Sequence, residues 1–511
     1  MFSITLGIVG LLGAVLVTRT LISALLSPLR RIPGPFLARF TRLWQFVEIG
    51  RGQFEKTNLE LHDKYGRHSP TPPEIGLILT IVVGPIVRIA PNEYSLDDFE
   101  AAKTIYGHPT SFVKAPWYIA SADPDPHQPR GLFTDRDIKH HAESRRKVSS
   151  VYSMTALLTM EPHVTDCVNI LVDKFREFAH KGQVINMSHW LQCYAFDVIG
   201  VLTLGQRFGL LDDGLDREGI LAAIDQYLAY LSVVGVYSEI HRFLGAILQK
   251  LSSGGGLAYM RAFSKQQIQE HVRSGEYREG EGKDFATKLL KLHQENPKKI
   301  TMQDVIMTCG TNIGAGSDTT SISLGSVVYS LIKHPKVMRK LREEIDQGIA
   351  TGHISAAITF QDAQRMPYLQ AVIKEALRVH PATGLPLGRV VPKGGATLAG
   401  KFFPEGTIVG INSWVAHANR QVFGDDARSF RPERWLQDQE QVSRMDRYYM
   451  TFGLGSRTCI GKNISLMEMQ KVIPQLARHF DFELVTKEWK TRNVWFVKQE
   501  QFECRIRLRK C

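Results

Sequence analysis

Cys459 is the residue of this chain whose surroundings best suit a metal-bound thiolate. It stands in the segment Phe452 to Gly461, which reads FGLGSRTCIG. Gly453, Gly455 and Gly461 allow tight turns and let the backbone pass close to a flat ligand. The run from Asn463 through Met467 to Leu476 predicts a helix just beyond the cysteine, and the positive N-terminal end of such a helix favours an ionised sulfur. Arg457 adds a fixed positive charge nearby. A lone cysteine is ordinarily a small buried apolar residue. At average residue frequencies, however, the pattern F-x-x-G-x-R-x-C-x-G arises by accident on the order of once in 10,000 chains of this length.

Further clusters of functional residue types lie elsewhere. In HHAESRRKVSS, His141 and Arg145 are four apart on an expected helix and so share a face. They could hold an anionic group, or they could be a solvated helix surface. In Ala315-Gly-Ser-Asp-Thr-Thr320, Asp318 and Thr319 follow Gly310, Gly314 and Gly316 inside an expected helix. Each such glycine costs roughly 1 kcal/mol relative to alanine, so a packing or functional reason is required. The alternative for Thr319 is a side chain that bonds its own helix. Over Tyr368 to His380 the apolar stripe Leu369, Val372, Ile373, Ala376 and Leu377 leaves Glu375 and Arg378 together on the opposite face. Arg389 ends the segment LPLGR, and Arg434 lies in Phe430-Arg-Pro-Glu-Arg-Trp435.

The cysteine segment resembles the haem-binding loop of the cytochrome P450 family, in which the thiolate is the axial ligand of haem iron. E-x-x-R followed by P-E-R-W is similar to the family's second signature, and AGSDTT resembles its oxygen-activation motif. The resemblance implies haem b with Cys459 as axial ligand and Gly461 close to the macrocycle. It implies that His141, Arg145, Arg389 and Arg457 face the haem, with His141 standing where the family usually has an aromatic residue. Asp318 and Thr319 would guide protons to dioxygen above a glycine that opens the helix. Glu375, Arg378 and Arg434 would form a buried structural ion network behind the cysteine loop.

The elements that must position these groups agree with that picture. A chain of 511 residues, 43% hydrophobic and 22% charged, has ordinary globular composition and is long enough to enclose a haem. The resemblance implies one large, mainly α unit with a small β region, the cytochrome P450 fold, in place of the several domains that length alone suggests. Thr301 to Lys333 is expected to be one long helix with a cap-like Thr301-x-x-Asp304 at its start and Pro335 beyond its end. Cys167, Cys193, Cys309, Cys459, Cys504 and Cys511 contain no CxxC pair, which suits a reducing compartment. The net charge of +12 comes without a basic run interleaved with aromatics, so an anionic membrane surface and an acidic electron donor explain it better than nucleic acid.

Met1 to Thr18 carries no charge, and apolar residues resume after Arg19 as far as Leu29. At about 1.5 Å per residue this run can cross a bilayer as one N-terminal transmembrane helix. Arg30, Arg31, Arg39 and Arg42 follow it and put the body of the protein on the cytoplasmic side. The expected division is a membrane anchor over 1–29, a proline-rich hinge over 30–36 and a catalytic domain over 37–511. Residues 66–83 interrupt the family pattern and read either as an inserted loop or as a translated intron.

The reading is a haem-thiolate monooxygenase similar to microsomal enzymes of filamentous fungi, single-pass in the endoplasmic reticulum membrane. It would insert one oxygen atom of O2 into a small apolar substrate by hydroxylation, epoxidation or O-demethylation. Electrons would come from NADPH through NADPH-cytochrome P450 reductase, with cytochrome b5 as a further donor. Secondary-metabolite biosynthesis is the first expectation and O-demethylation of a plant phenolic the second. A haem isomerase or dehydratase, or a haem sensor without turnover, are the alternatives from other classes. Intact Asp318-Thr319 and an uninterrupted cysteine loop argue against both.

Overall fold

The computed structural model describes residues 15, 18–66, 84–125, 127–251, 255–275 and 284–510. Helices dominate. Those that frame the site are α1 (Leu43–Gly50), α2 (Phe54–Tyr65), α3 (Ile138–Val148), α4 (Glu161–Lys181), α5 (Met187–Leu204), α6 (Ile220–Val234), α7 (Gly255–Ser274), α8 (Met302–Lys333), α9 (Pro335–Ala350), α10 (Pro367–Val379) and α11 (Lys462–His479). Strands are short and form a minor part of the fold. A five-stranded sheet has the order β1 (Ile86–Ala90), β2 (Glu93–Leu96), β8 (Ile408–Gly410), β5 (Arg389–Val390), β3 (Val113–Lys114). Smaller sheets pair β4 (Val184–Asn186) and β9 (Phe480–Leu484) with β12 (Glu503–Leu508), β6 (Ala396–Leu398) with β7 (Lys401–Phe403), and β10 (Thr491–Val494) with β11 (Phe496–Gln499).

α8 is the axis of the molecule. Its first turn is closed by a capping box in which Thr301 and Asp304 exchange bonds. Pro335 opens α9 directly after its last turn. Val305, Cys309, Ile313, Leu324, Val327 and Leu331 are all buried and join residues of α4, α5 and α11 in one apolar cluster. α5 is enclosed almost all round from Cys193 to Leu204, which is the pattern of a helix sandwiched between others.

The glycine-rich middle of α8 does not break it. The helix runs unbroken from Met302 to Lys333, against the expectation that a glycine opens it. Packing accounts for Gly316 instead: a Cβ there would lie 2.7 Å from Ile199 Cγ1 on α5. A side chain would push the two central helices apart.

Residues 1–14 and 16–17, on which most of the expected anchor falls, lie outside the described residues; 18–26 are helical. The proline hinge is docked: Arg88 N–H donates to the Pro33 carbonyl at 2.7 Å, and the Arg88 guanidinium reaches the Leu29 carbonyl at 2.8 Å. Among the described residues, Ile220–Leu248 is long and apolar enough to cross a membrane by length and composition. Over half of it is buried inside the protein, and Tyr237 has non-helical backbone angles within it.

Of the expected insertion, 66–83, all but Gly66 lies outside the described residues. Its two flanks meet, because Gly84 N–H points at the Tyr65 carbonyl with 3.4 Å between nitrogen and oxygen. Joining Tyr65 to Gly84 therefore requires only local adjustment. Deleting 66–83 is expected to leave thermal stability and haem content near those of the full chain; a protein that no longer folds would mean that the segment is part of the core.

Candidate active site

The cysteine loop is a closed turn. Cys459 N–H donates to the Phe452 carbonyl at 2.8 Å, and a 3-10 turn over Gly455–Arg457 leads into it. Gly455 has φ +62, and a Cβ on it would collide with the Tyr106 carbonyl, so only glycine serves there. α11 starts at Lys462. Cys459 retains exposed surface, whereas Cys167, Cys193, Cys309 and Cys504 are buried. Desolvation pushes its thiol up, opposed by the backbone N–H groups of Gly461 and Lys462 and by the charges of Arg145 and Lys462. A metal cation held there would supply the remaining stabilisation needed to ionise the thiol.

α8 forms the facing wall. Ala315 is exposed and Thr311 and Thr319 are half-buried, one helical turn apart on a helix otherwise mostly buried. Thr320 Oγ1 and Ser465 Oγ lie 2.9 Å apart and join α8 to α11 close to the cysteine. Thr319 Oγ1 donates to the Ala315 carbonyl at 2.9 Å, the self-bonded arrangement weighed above. Asp318 is fully buried and points away from the stripe: Gln192 Nε2 donates to its Oδ1 at 2.5 Å, and Lys498 Nζ stands 2.9 Å from its Oδ2.

A cluster of positive charge lies on the side of the cysteine, where Arg145 acts on it. His141 and Arg145 sit on α3, whose start is capped by the Asp137 carboxylate. Arg457 donates to the carbonyls of Asp135 and Asp137 at 2.9 and 3.3 Å. Arg389 is buried and donates to the Gly388 carbonyl at 2.9 Å. The structure adds Lys114, which no motif signalled: it is buried on β3 with its ammonium on the carbonyls of Leu132 and Phe133. Burial and the charges of Arg389 and Arg457 drive the Lys114 ammonium well below its usual range. His141 falls to about 3, through burial first and then Arg457, Lys114 and Arg145. It is neutral at pH 7 and offers a hydrogen bond, not a charge. Among the described residues no carboxylate lies within ion-pair distance of Lys114, Arg145, Arg389 or Arg457. Asp135 offsets part of the repulsion at Lys114 and Arg457, and the excess positive charge that remains suits an anion. The two carboxylates of a haem would suit this cluster, and Cys459 would be available to its iron.

Behind the loop, Glu375 carries the structure. Its side chain is fully buried with those of Arg378 and Arg434, at 0, 1 and 1% exposure. Both guanidiniums bond it at 2.8 Å, Trp435 Nε1 at 2.9 Å and the Arg431 N–H at 2.9 Å. Desolvation alone would raise this carboxyl, but the bonds and charges of Arg378 and Arg434 outweigh it and hold it below its usual value. The face of α10 opposite the apolar stripe is therefore buried too, covered by Arg434 and Trp435. His417 extends the network. Its Nε2 must accept from the Met450 N–H at 2.8 Å, so Nδ1 carries the proton and donates to the Arg378 carbonyl at 2.9 Å. Burial and the Arg378 charge lower His417 to about 3, so it is neutral, as this arrangement requires. The chain then runs from Met450 into Phe452 and the cysteine loop. Glu375→Gln is expected to cost about 3–5 kcal/mol, seen as a lower urea midpoint and reduced haem retention. A variant as stable as the wild type would mean that the network is dispensable.

The protein-family model for cytochrome P450 matches residues 79–501. Pisatin demethylase of Fusarium vanettenii is 38% identical over 481 residues, covering 93% of this chain and 89% of the relative. A second pisatin demethylase of the same organism is 38% identical over 494 residues, 95% of this chain and 90% of the relative. A cytochrome P450 monooxygenase of Penicillium aethiopicum, gsfF, is 34% identical over 524 residues, spanning 100% of this chain and 99% of its own length. With a family model over most of the chain and relatives similar along nearly all of it, the chain belongs to the cytochrome P450 family of haem-thiolate proteins served by a redox partner, and it is a monooxygenase.

Proposed function

We propose that Cys459 is the axial thiolate of a haem b, and that the enzyme inserts one oxygen atom of O2 into a small apolar substrate while the other leaves as water. The observation that carries this is an exposed Cys459 at the head of α11, together with a partly exposed stripe on α8 and a cluster of cations without an ion-paired carboxylate. Haem, when bound, supplies the oxidising chemistry. Lys114, Arg145, Arg389 and Arg457 would take its carboxylates, with His141 as a neutral donor and Gly461 leaving room beside the sulfur. The N–H groups of Gly461 and Lys462 would hold the sulfur ionised. Thr319 would turn its hydroxyl from the Ala315 carbonyl to donate into the pocket, and Asp318 would resupply the proton.

The substrate is proposed to be apolar and ring-containing. Trp117 and Trp495 are stacked with centroids 4.4 Å apart, Tyr118 and Phe133 pack on their edges, and Tyr118 lies beside Arg389. We assign the reaction to secondary-metabolite biosynthesis; the second reading, O-demethylation of a phenolic, is favoured by similarity to demethylases. Two electrons would come from NADPH through NADPH-cytochrome P450 reductase, with cytochrome b5 as an additional donor.

We place the chain on the endoplasmic reticulum membrane, anchored by 1–29, with 30–36 as hinge and 37–511 cytoplasmic. Phe36 and Phe243 are each 73% exposed, and Leu37, Leu43 and Ile240 are exposed too. α1 is held to the Val236–Glu239 turn by Arg42, which donates to the Val236 carbonyl at 2.8 Å, so these side chains form a second lipid-facing patch beside the anchor. Removing 1–30 is expected to weaken membrane binding in flotation assays and leave haem content intact; loss of haem would contradict an anchor role.

Product per NADPH consumed, with reductase present, tests the reading. Thr319→Ala should keep haem content and substrate binding while releasing hydrogen peroxide in place of product. A placed proton donor is worth about 10²–10⁴-fold, and water can substitute, so the loss should sit at or below the low end. An unchanged ratio would remove Thr319 from proton delivery. NADPH-independent turnover would favour the isomerase alternative.

A further inference from the structure

The carboxylate of Asp318 has a partner from a distant part of the chain. Lys498 lies on β11, in the C-terminal hairpin, and its ammonium stands 2.9 Å from Asp318 Oδ2 and 3.0 Å from Asp225 Oδ1 on α6. The placement is enforced by its neighbour: Gln499 Nε2 donates to the Ile322 carbonyl of α8 at 3.0 Å, which pins the strand to the helix one turn beyond Asp318. Asp225 also accepts from Arg492 at 2.9 Å, and Arg492 in turn meets Glu500 at 2.6 Å. Exposure rises along this series, from 1% for the Asp318 side chain to 15% for Lys498, 35% for Asp225 and 44% for Glu500. Asp318 is thus the buried end of a charged chain that starts in solvent.

Each oxygen of Asp318 is held separately, one by Gln192 and one by Lys498. Without the ammonium, a fully buried carboxylate would keep one neutral donor and lose its counter-ion, a costly state that favours reorientation. We propose that Lys498 is a positioning residue for Asp318, and that the C-terminal hairpin thereby belongs to the proton-delivery apparatus. This rests on the reading of Asp318 given above. Lys498 touches neither substrate nor the cysteine loop in this arrangement. Its effect runs through where Asp318 points.

The test compares Lys498→Met, Lys498→Arg, Asp225→Asn, Asp318→Asn and the Lys498→Met/Asp318→Asn double variant, each with haem content and reduced carbon-monoxide spectrum matched to wild type. Lys498→Met should lower product per NADPH several-fold and raise peroxide, with Lys498→Arg recovering most of the loss. Asp225→Asn, which leaves the Lys498–Asp318 pair intact, should stay within about twofold, since exposed pairs contribute little. The double variant should be no worse than Asp318→Asn alone. A wild-type ratio in Lys498→Met, or losses that multiply in the double variant, would overturn the proposal. A second readout needs no turnover: in the resting ferric protein the two substitutions should be non-additive in unfolding, by about tenfold or more in the folded-to-unfolded ratio. If Asp318→Asn itself keeps the wild-type ratio, the proton-delivery reading fails. The unfolding cycle then still decides whether Lys498 holds Asp318, and additivity there would refute it even if the kinetics agreed. Should Lys498→Met fail to fold, Lys498→Gln carries the same comparison.

Discussion

The cysteine loop can present its sulfur only because a buried carboxylate behind it is fully satisfied. Glu375 is removed from water with two guanidiniums, an indole N–H and a backbone N–H around it. Burying such charges without partners would cost several kcal/mol per ion. Arg378 spends its remaining donors on the carbonyls of His417, Ala427 and Ser429, and Arg434 reaches the Phe423 carbonyl at 2.5 Å. These bonds stitch α10 to the irregular segment before the cysteine, a stretch with too little secondary structure to hold itself. His417 completes the connection through a tautomer fixed by its two backbone partners.

On that foundation the site is a meeting of independent elements. α11 brings the cysteine with the positive end of its helix. α8 brings a stripe of small and hydroxyl side chains, kept close to α5 by the space-saving Gly316. α3, β3, β5 and the loop itself bring cations whose mutual repulsion Asp135 offsets only in part. The apolar cluster around α4, α5, α8 and α11 makes these placements rigid. The proposed haem and substrate site lies among these elements.

Much of this was readable from residue types at fixed spacing. Phe452 to Gly461, Asp318-Thr319 and the pair Glu375/Arg378 are each local patterns, and the capping box at Thr301 and Asp304 marked the start of α8 correctly. What escaped was long-range. Gln192 lies 126 positions from Asp318, and Lys498 lies on a hairpin that no periodicity links to α8. Lys114 and His417 carry no motif, because their roles come from backbone carbonyls and N–H groups that only the fold brings near. Gly316 was noticed for its cost, yet the cause is Ile199 on another helix, not an opening of α8. Glu375 and Arg378 share a face in any helical reading, but whether that face meets water depends on Arg434 and Trp435 arriving from elsewhere.

The most direct measurement is the absorption spectrum of the dithionite-reduced, carbon-monoxide-bound protein, taken for wild type and Cys459→Ala after equal haem loading. The account predicts the long-wavelength Soret band of thiolate ligation in the wild type and its disappearance in Cys459→Ala, with the buried Cys167, Cys193, Cys309 and Cys504 unable to replace it. A wild-type protein lacking that band, or a Cys459→Ala variant that keeps it, would contradict Cys459 as the residue around which this fold is built.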